Sequence, residues 1–206
     1  MSILICSIGV KKATYHFSYS FYQEKHFDEE EKWDILGVED VITLWCGSAP
    51  MTMRADLLFR SRKTGKIQWE YQNDDLGGQH DCQELENGNI LVFANGWNTP
   101  KDGPNFSQVW EIDRETKEIV WRYFPEKNAL SFWSPHISGC QRLNSGNTLI
   151  AEGGKGCIFE VTPDREVVWE YINPFYGPHP ALPGQINWVF RAKRYAADSP
   201  EIGGRL

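Results

Sequence analysis

Lys66-Ile67-Gln68-Trp69-Glu70-Tyr71 sets out a pattern of charge, β-branched residue, any residue, Trp, charge, Tyr. Glu118-Ile119-Val120-Trp121-Arg122-Tyr123 and Glu166-Val167-Val168-Trp169-Glu170-Tyr171 repeat it. The Trp-to-Trp intervals are 52 and 48 residues. That is the length of a repeated supersecondary unit rather than of a heptad or a short solenoid coil. The three stretches predict equivalent strands of successive units.

Working outward, each stretch follows a polar turn: Arg62-Lys63-Thr64-Gly65, Asp113-Arg114-Glu115-Thr116-Lys117 and Thr162-Pro163-Asp164-Arg165. Polar, φ-flexible residues between apolar runs are hairpin chemistry. A second phrase follows two of the Trp strands, Cys82-Gln83-Glu84-Leu85-Glu86-Asn87-Gly88-Asn89-Ile90-Leu91 and Cys140-Gln141-Arg142-Leu143-Asn144-Ser145-Gly146-Asn147-Thr148-Leu149. In both, Gly between polar residues closes a tight turn. The unit reads strand, turn, Trp strand, connection, strand, turn, strand. Four antiparallel strands per repeat predict an all-β chain built as a β-propeller. Its blades run from Leu57 to Gly96, from Val109 to Gly153, and from Ile158 onward through Trp169. Three repeats are few for a closed ring, so the propeller is expected to be incomplete. The three Trp side chains are expected between neighbouring sheets, each able to bury about 200 Å².

Nine Trp, eight Tyr and eleven Phe, with eighteen Gly and eleven Pro in 206 residues, fit an aromatic-packed, turn-rich β protein. A formal charge of −7 argues against nucleic-acid binding, which needs Lys and Arg against phosphate. It leaves room for a small anion held by a local cationic pocket. Cys6, Cys46, Cys82, Cys140 and Cys157 form no CxxC pair, so neither a structural zinc site nor a disulfide framework is expected. No other metal or cofactor is expected. Met1–Val10 is a short apolar run with Lys11 and Lys12 after it, a poor export signal, which makes a cytoplasmic location the default. No run approaches membrane-spanning length.

Residues 1–56 lack the repeat and read as a divergent segment, residues 57–195 as the blades and residues 196–206 as a tail. Tyr15–Tyr22 alternates aromatic residues and predicts one strand. Asp28–Lys32 reads as a solvated loop or helix start, and His16 and His26 stand without companions. If residues 79–85 are extended, His80 and Asp81 face opposite ways, so Asp81 does not orient His80. Residues 97–107 and the Pro-rich 174–183 stretch, with His179 between two prolines, read as loops. Ile186–Ala192 predicts one more strand, a candidate for closing the arc.

Together, Gln79-His80-Asp81-Cys82-Gln83 leading to Asn87-Gly88-Asn89-Ile90-Leu91, and Ser138-Gly139-Cys140-Gln141-Arg142-Leu143 leading to Gly146-Asn147-Thr148-Leu149, resemble the arylsulfotransferase family of β-propellers. Glu152-Gly153-Gly154, Ile158-Phe159-Glu160-Val161-Thr162-Pro163, Val168-Trp169-Glu170-Tyr171 and Val189-Phe190-Arg191-Ala192-Lys193-Arg194-Tyr195 extend the likeness over residues 57–195. The resemblance implies a six-bladed propeller that moves sulfuryl groups from an aryl sulfate to a phenol through a transiently sulfated histidine. Neutral imidazole can attack sulfur and split one transfer into two steps.

On that reading His80 is the nucleophile or a sulfate-binding histidine. Arg142, in the matching phrase of the next unit, is a candidate anion contact or a solvated side chain, and His136 and Asn95 are further candidates for substrate binding. The chain is shorter than a six-bladed relative and its first quarter does not match, which suits a partial or truncated member. The alternatives are a catalytically inactive propeller that binds a partner, and a quinone-dependent dehydrogenase suggested by Thr64-Gly65-Lys66-Ile67-Gln68-Trp69. The last finds no vicinal cysteine pair and no carboxylate cluster for calcium in the sequence. An open arc would also present an exposed sheet edge, for which self-association is expected.

Overall fold

The computed structural model describes residues 2–7, 40–45, 56–61, 67–97, 104–179, 183–196 and 199. Strand β1 (Ser2–Ser7) pairs antiparallel with β15 (Arg191–Ala196), so early and late strands share one sheet. Strands β2 (Asp40–Trp45), β3 (Asp56–Ser61) and β4 (Ile67–Gln72) form a three-stranded meander. Strands β5 (His80–Glu84), β6 (Ile90–Ala94), β7 (Gln108–Ile112) and β8 (Ile119–Tyr123) form a four-stranded one. Strands β9 (Gly139–Arg142), β10 (Thr148–Glu152), β11 (Cys157–Val161) and β12 (Val167–Ile172) form another. Strands β13 (Gly177–Pro178) and β14 (Gln185–Ile186) make a short ribbon. All pairings are antiparallel, and the helical content of the described residues is three single 3₁₀ turns. Among those residues no helix is long and apolar enough to cross a membrane.

The repeat is present, but its phase differs from the expected one. The sequence unit from Leu57 to Gly96 is split: β3 and β4 end one sheet and β5 and β6 begin the next. The same holds for Val109 to Gly153, and β11, near Ile158, is the third strand of its sheet rather than the first of a new one. A period carries no origin. The origin is set by which connections cross between sheets, here 73–79 and 124–138, and length alone does not mark them, since the β6–β7 connection 95–107 is longer than 73–79 and stays within one sheet. The Trp strand is therefore the last strand of each meander. Residues 1–56 contribute β1 and β2 to two of these sheets. Ile186–Ala192 is not continuous strand: β14 ends at Ile186 and β15 begins at Arg191. The expected Tyr15–Tyr22 strand, the Asp28–Lys32 run, His16, His26 and residues 200–206 of the tail lie outside the described residues.

Turn chemistry explains the regular hairpins. Gly88 and Gly146 sit at φ 82° and 87°, where a side chain would strain the backbone. Each donates to the carbonyl of the leucine three residues before it, Leu85 and Leu143. Asp113 caps the β7–β8 turn by accepting from the Glu115 and Thr116 amides. Every hairpin leading into a Trp strand carries a register shift at the same place, at Phe59/Arg60, Glu111/Ile112 and Glu160/Val161.

Sheets stack in chain order. Leu57, Trp69, Tyr71, Ile90, Val92, Trp110 and Ile112 fill the first interface. Phe93, Tyr123, Phe132, Ile150 and Phe159 fill the second, with Phe132 edge-on to Phe93, Tyr123 and Phe159. Full burial of such side chains contributes about 2 kcal/mol each. The indole of Trp69 donates to Arg114 O at 2.8 Å and that of Trp121 to Pro163 O at 2.8 Å, so each reaches the turn of the following sheet. Trp69 is buried, 9 % exposed, as its packing role requires; Trp169, beyond which the half-sheet β15–β1 follows, is 36 % exposed.

Candidate functional site

The meanders start at a common end, where β5 and β9 open. Gly77 and Gly78, at φ 52° and 82°, turn the chain into β5, and a Cβ on Gly77 would run into the backbone of Gly96 and Trp97. Two backbone bonds, Gly96 N–H to Leu76 O at 3.1 Å and Trp97 N–H to Gly77 O at 2.8 Å, seal that approach. They set half-buried His80 against Asn95, which follows β6. His80 Nδ1 lies 2.7 Å from Asn95 Oδ1 and 3.0 Å from Gly78 O.

Residues 79–85 are not uniformly extended. Asp81 has φ 52°, and the β5–β6 register slips between His80 and Gln83. The bulge buries the Asp81 carboxylate to 6 % exposure, away from the imidazole's hydrogen bonds. It accepts from the Cys140 amide at 3.1 Å and pairs with Lys193 at 2.9 Å and Arg191 at 3.2 Å. Asp81 thus ties β5, β9 and β15 together at this end.

His136 and His179 arrive from the connections. Both rings stand edge-on to Trp188, with centroid separations of 4.5 and 5.1 Å. Burial pulls the His136 pKa below the ordinary histidine value, and the charges on His80 and His179 push it the same way. His80 and His179 therefore each lie close enough to His136 for their charges to act on it. Trp97 and Trp133 stack at 6.1 Å beside them, through Gly77 on one side and the Ser134 backbone on the other. At the same end, burial raises the pKa of Glu152, which accepts from the Trp133 amide and pairs with Lys155 at 2.6 Å.

His80, His136 and Asn95 thus come together, but Arg142 does not join them. It sits at the far end of β9, pairing with Glu111 at 2.7 Å, donating to Gly146 O and lying 4.8 Å over the Trp121 ring. The same latch recurs in the next sheet, where Arg194 pairs with Glu160 and covers Trp169. Arg142 is a part-buried strut of the repeat, at the end of β9 away from the histidines. Asn95 is fully buried with its carboxamide spent on protein partners, which suits orientation of His80 rather than contact with a ligand.

Two residues missed in sequence belong to this end. Arg191 holds Asp81 through Nε and is 44 % exposed, and its terminal nitrogens have no partner among the described residues. His179 falls in the 174–183 stretch, which reads as a loop. A histidine boxed by prolines nine positions before a Trp was the signal, weak without knowing that both fold back on His136. Among the described residues no group of three His, Cys, Asp or Glu side chains could hold a metal ion.

No protein-family model matches the chain, and no curated protein does. Among solved structures it is similar to a crystal structure of a protein of unknown function from Bacteroides caccae, with 14 % identity and a TM-score of 0.45. The match covers 65 % of this chain and 42 % of that one, so the chain spans less than half the length of that protein.

Proposed function

We propose that the histidine end binds an aryl sulfate and transfers its sulfuryl group to a phenol through His80. The observation that carries this reading is the convergence of three imidazoles and several indole rings at one end of the sheets, with the 44 % exposed Arg191 guanidinium at the same end. An anionic sulfate needs cationic or N–H donors, and the aryl group needs flat apolar partners. His136, His179 and Arg191 are the donors in this reading; Trp97, Trp133 and Trp188 are the walls.

The chemistry balances in two steps. The His80 Nε2 lone pair forms an N–S bond as the S–O bond to the aryl group breaks, and the aryloxide leaves and takes a proton from solvent. The acceptor phenol then attacks sulfur, the N–S bond breaks, and the phenolic proton passes to His136, which burial keeps neutral. We also read the stacked meanders as blades of an incomplete β-propeller. Support comes from their four-strand order, their stacking in chain sequence and the pairing of β1 with β15.

The test is sulfuryl transfer from 4-nitrophenyl sulfate to phenol, followed by nitrophenolate release and by a mass increase on His80. Wild type should show both and His80→Ala neither. Folded wild-type protein with no transfer and no adduct would end this reading. A non-catalytic binding module is the second reading, favoured by the apolar exposure of Val167, Val168, Trp169 and Ile172 along β12. It predicts sulfate-independent partner binding that Trp169→Ser weakens.

A further inference from the structure

We propose that Asn95 is the positioning residue of this site: it fixes His80 in the Nδ1–H tautomer and so leaves the Nε2 lone pair as the attacking group. An unrestrained neutral imidazole can carry its proton on either nitrogen. Here the choice follows by elimination. The Asn95 amide nitrogen lies 2.7 Å from Ser134 O and 3.0 Å from Ile137 O. Both are carbonyls, which only accept, so the NH₂ group must point at them and the amide cannot flip. Its Oδ1 is then what faces His80 Nδ1 at 2.7 Å, and the second neighbour of that nitrogen, Gly78 O, is also an acceptor. A ring nitrogen between two acceptors carries the proton.

The orientation is imposed from the neighbouring sheet. Ser134 and Ile137 belong to the connection into β9, and the Ser107 hydroxyl bonds Asn95 O at 3.0 Å while accepting from the Ser134 amide at 2.9 Å. Asn95, Ser107 and Ser134 are all fully buried, so water does not compete for these bonds. The docking of one sheet on the next thereby selects which nitrogen of His80 is basic. The tautomer assignment stands on these distances alone; its catalytic consequence rests on the sulfuryl-transfer reading.

The experiment is nitrogen-15 spectroscopy of the histidine-labelled full chain at about pH 8, where neutral rings dominate, with His80 assigned through His80→Gln. Wild type should show Nδ1 protonated and Nε2 bare. Asn95→Leu should give a mixture of tautomers and lose transfer by about 10²-fold or more in kcat, with KM little changed. Asn95→Asp, which retains an acceptor, should keep Nδ1–H and shift the pH profile of transfer upward. An Nε2–H ring in wild type overturns the proposal without any variant. An unchanged tautomer in folded Asn95→Leu would give the role to the Gly78 carbonyl and overturn it too. Nδ1–H in a wild type that transfers nothing would uphold the positioning while ending the sulfuryl-transfer reading.

Discussion

At the opening of β5 the chain places His80, hydrogen-bonded to Asn95 just past β6; at the opening of β9 it places Ser138, whose hydroxyl accepts from the Gly153 amide just past β10. The two positions match, each two residues before the repeated Cys of its strand. Both lie beside left-handed backbone, at Asp81 in one case and at Ile137 and Ser138 in the other. Both use a polar side chain to join the first strand of a meander to the end of the second. A hydroxyl suffices at β9. The imidazole at β5 is therefore not something the sheet demands, and neither is the buried amide that holds it. The difference separates what this end needs for folding from what the proposed chemistry would use.

The largest effect should come from making the two openings alike. His80→Ser copies the β9 arrangement, so the fold should lose about 1 kcal/mol, the net worth of one hydrogen bond. On the proposed reading, in which His80 is the nucleophile, sulfuryl transfer should fall by at least about 10³-fold. Urea unfolding and the nitrophenolate assay would read the two separately. A variant that unfolds without losing its per-molecule activity would reverse the comparison.

The converse exchange should fail structurally. Gly153→Asn brings the β5 amide to β9, but a Cβ on Gly153 would overlap Val189 O and the Ile137 side chain. Overpacking of that kind costs about 1–3 kcal/mol, read as a lower urea midpoint. Asp81→Asn probes a third difference, since its counterpart at β9 is Gly139, which has no side chain to bond. Removing the charge leaves Lys193 and Arg191 against a neutral group. Both cations reach water, so the loss should be about 1–2 kcal/mol, below that of a fully buried pair.

Legibility followed the range of each interaction. The hairpins around Asn87-Gly88 and Ser145-Gly146 were readable because a left-handed glycine and its leucine carbonyl lie within one turn. The Trp strands were readable because a period needs no tertiary knowledge. Their phase was not, since it depends on which connections cross between sheets. His80, His136 and Asn95 could be singled out by residue type and phrase. The role of Asn95 could not, because its orientation is set by carbonyls 39 and 42 residues away. The matched phrase of Arg142 locates it on β9 without saying that it lies at the end of the strand away from the histidines. Arg191 reaches that end through an ion pair with a residue 110 positions earlier, a distance no local pattern spans.

The mildest probe is pH, and it sets the titrating His136 against the uncharged Ser138 on the same connection into β9 in one measurement. Burial, and then the charges of His80 and His179, hold the His136 pKa below its ordinary value. An unfolded His136 takes up its proton near about pH 6.5, while the folded ring resists it until lower pH. The unfolded state therefore binds more protons in that window, and the stability contributed by the neutral ring is whole above about pH 6.5 and lost as pH falls. Midpoints of thermal unfolding should drop between about pH 7.5 and about pH 5.5, less steeply in His136→Gln. Sulfate should oppose that drop, because an anion among the rings favours their charged forms, so its stabilisation should be larger at the lower pH. Ser138→Ala should lower the midpoint by the same amount at both pH values, since a serine hydroxyl carries no charge across this range. A sulfate effect that is flat with pH would mean that the anion binds away from His136, and would detach the histidine end from the chemistry assigned to it.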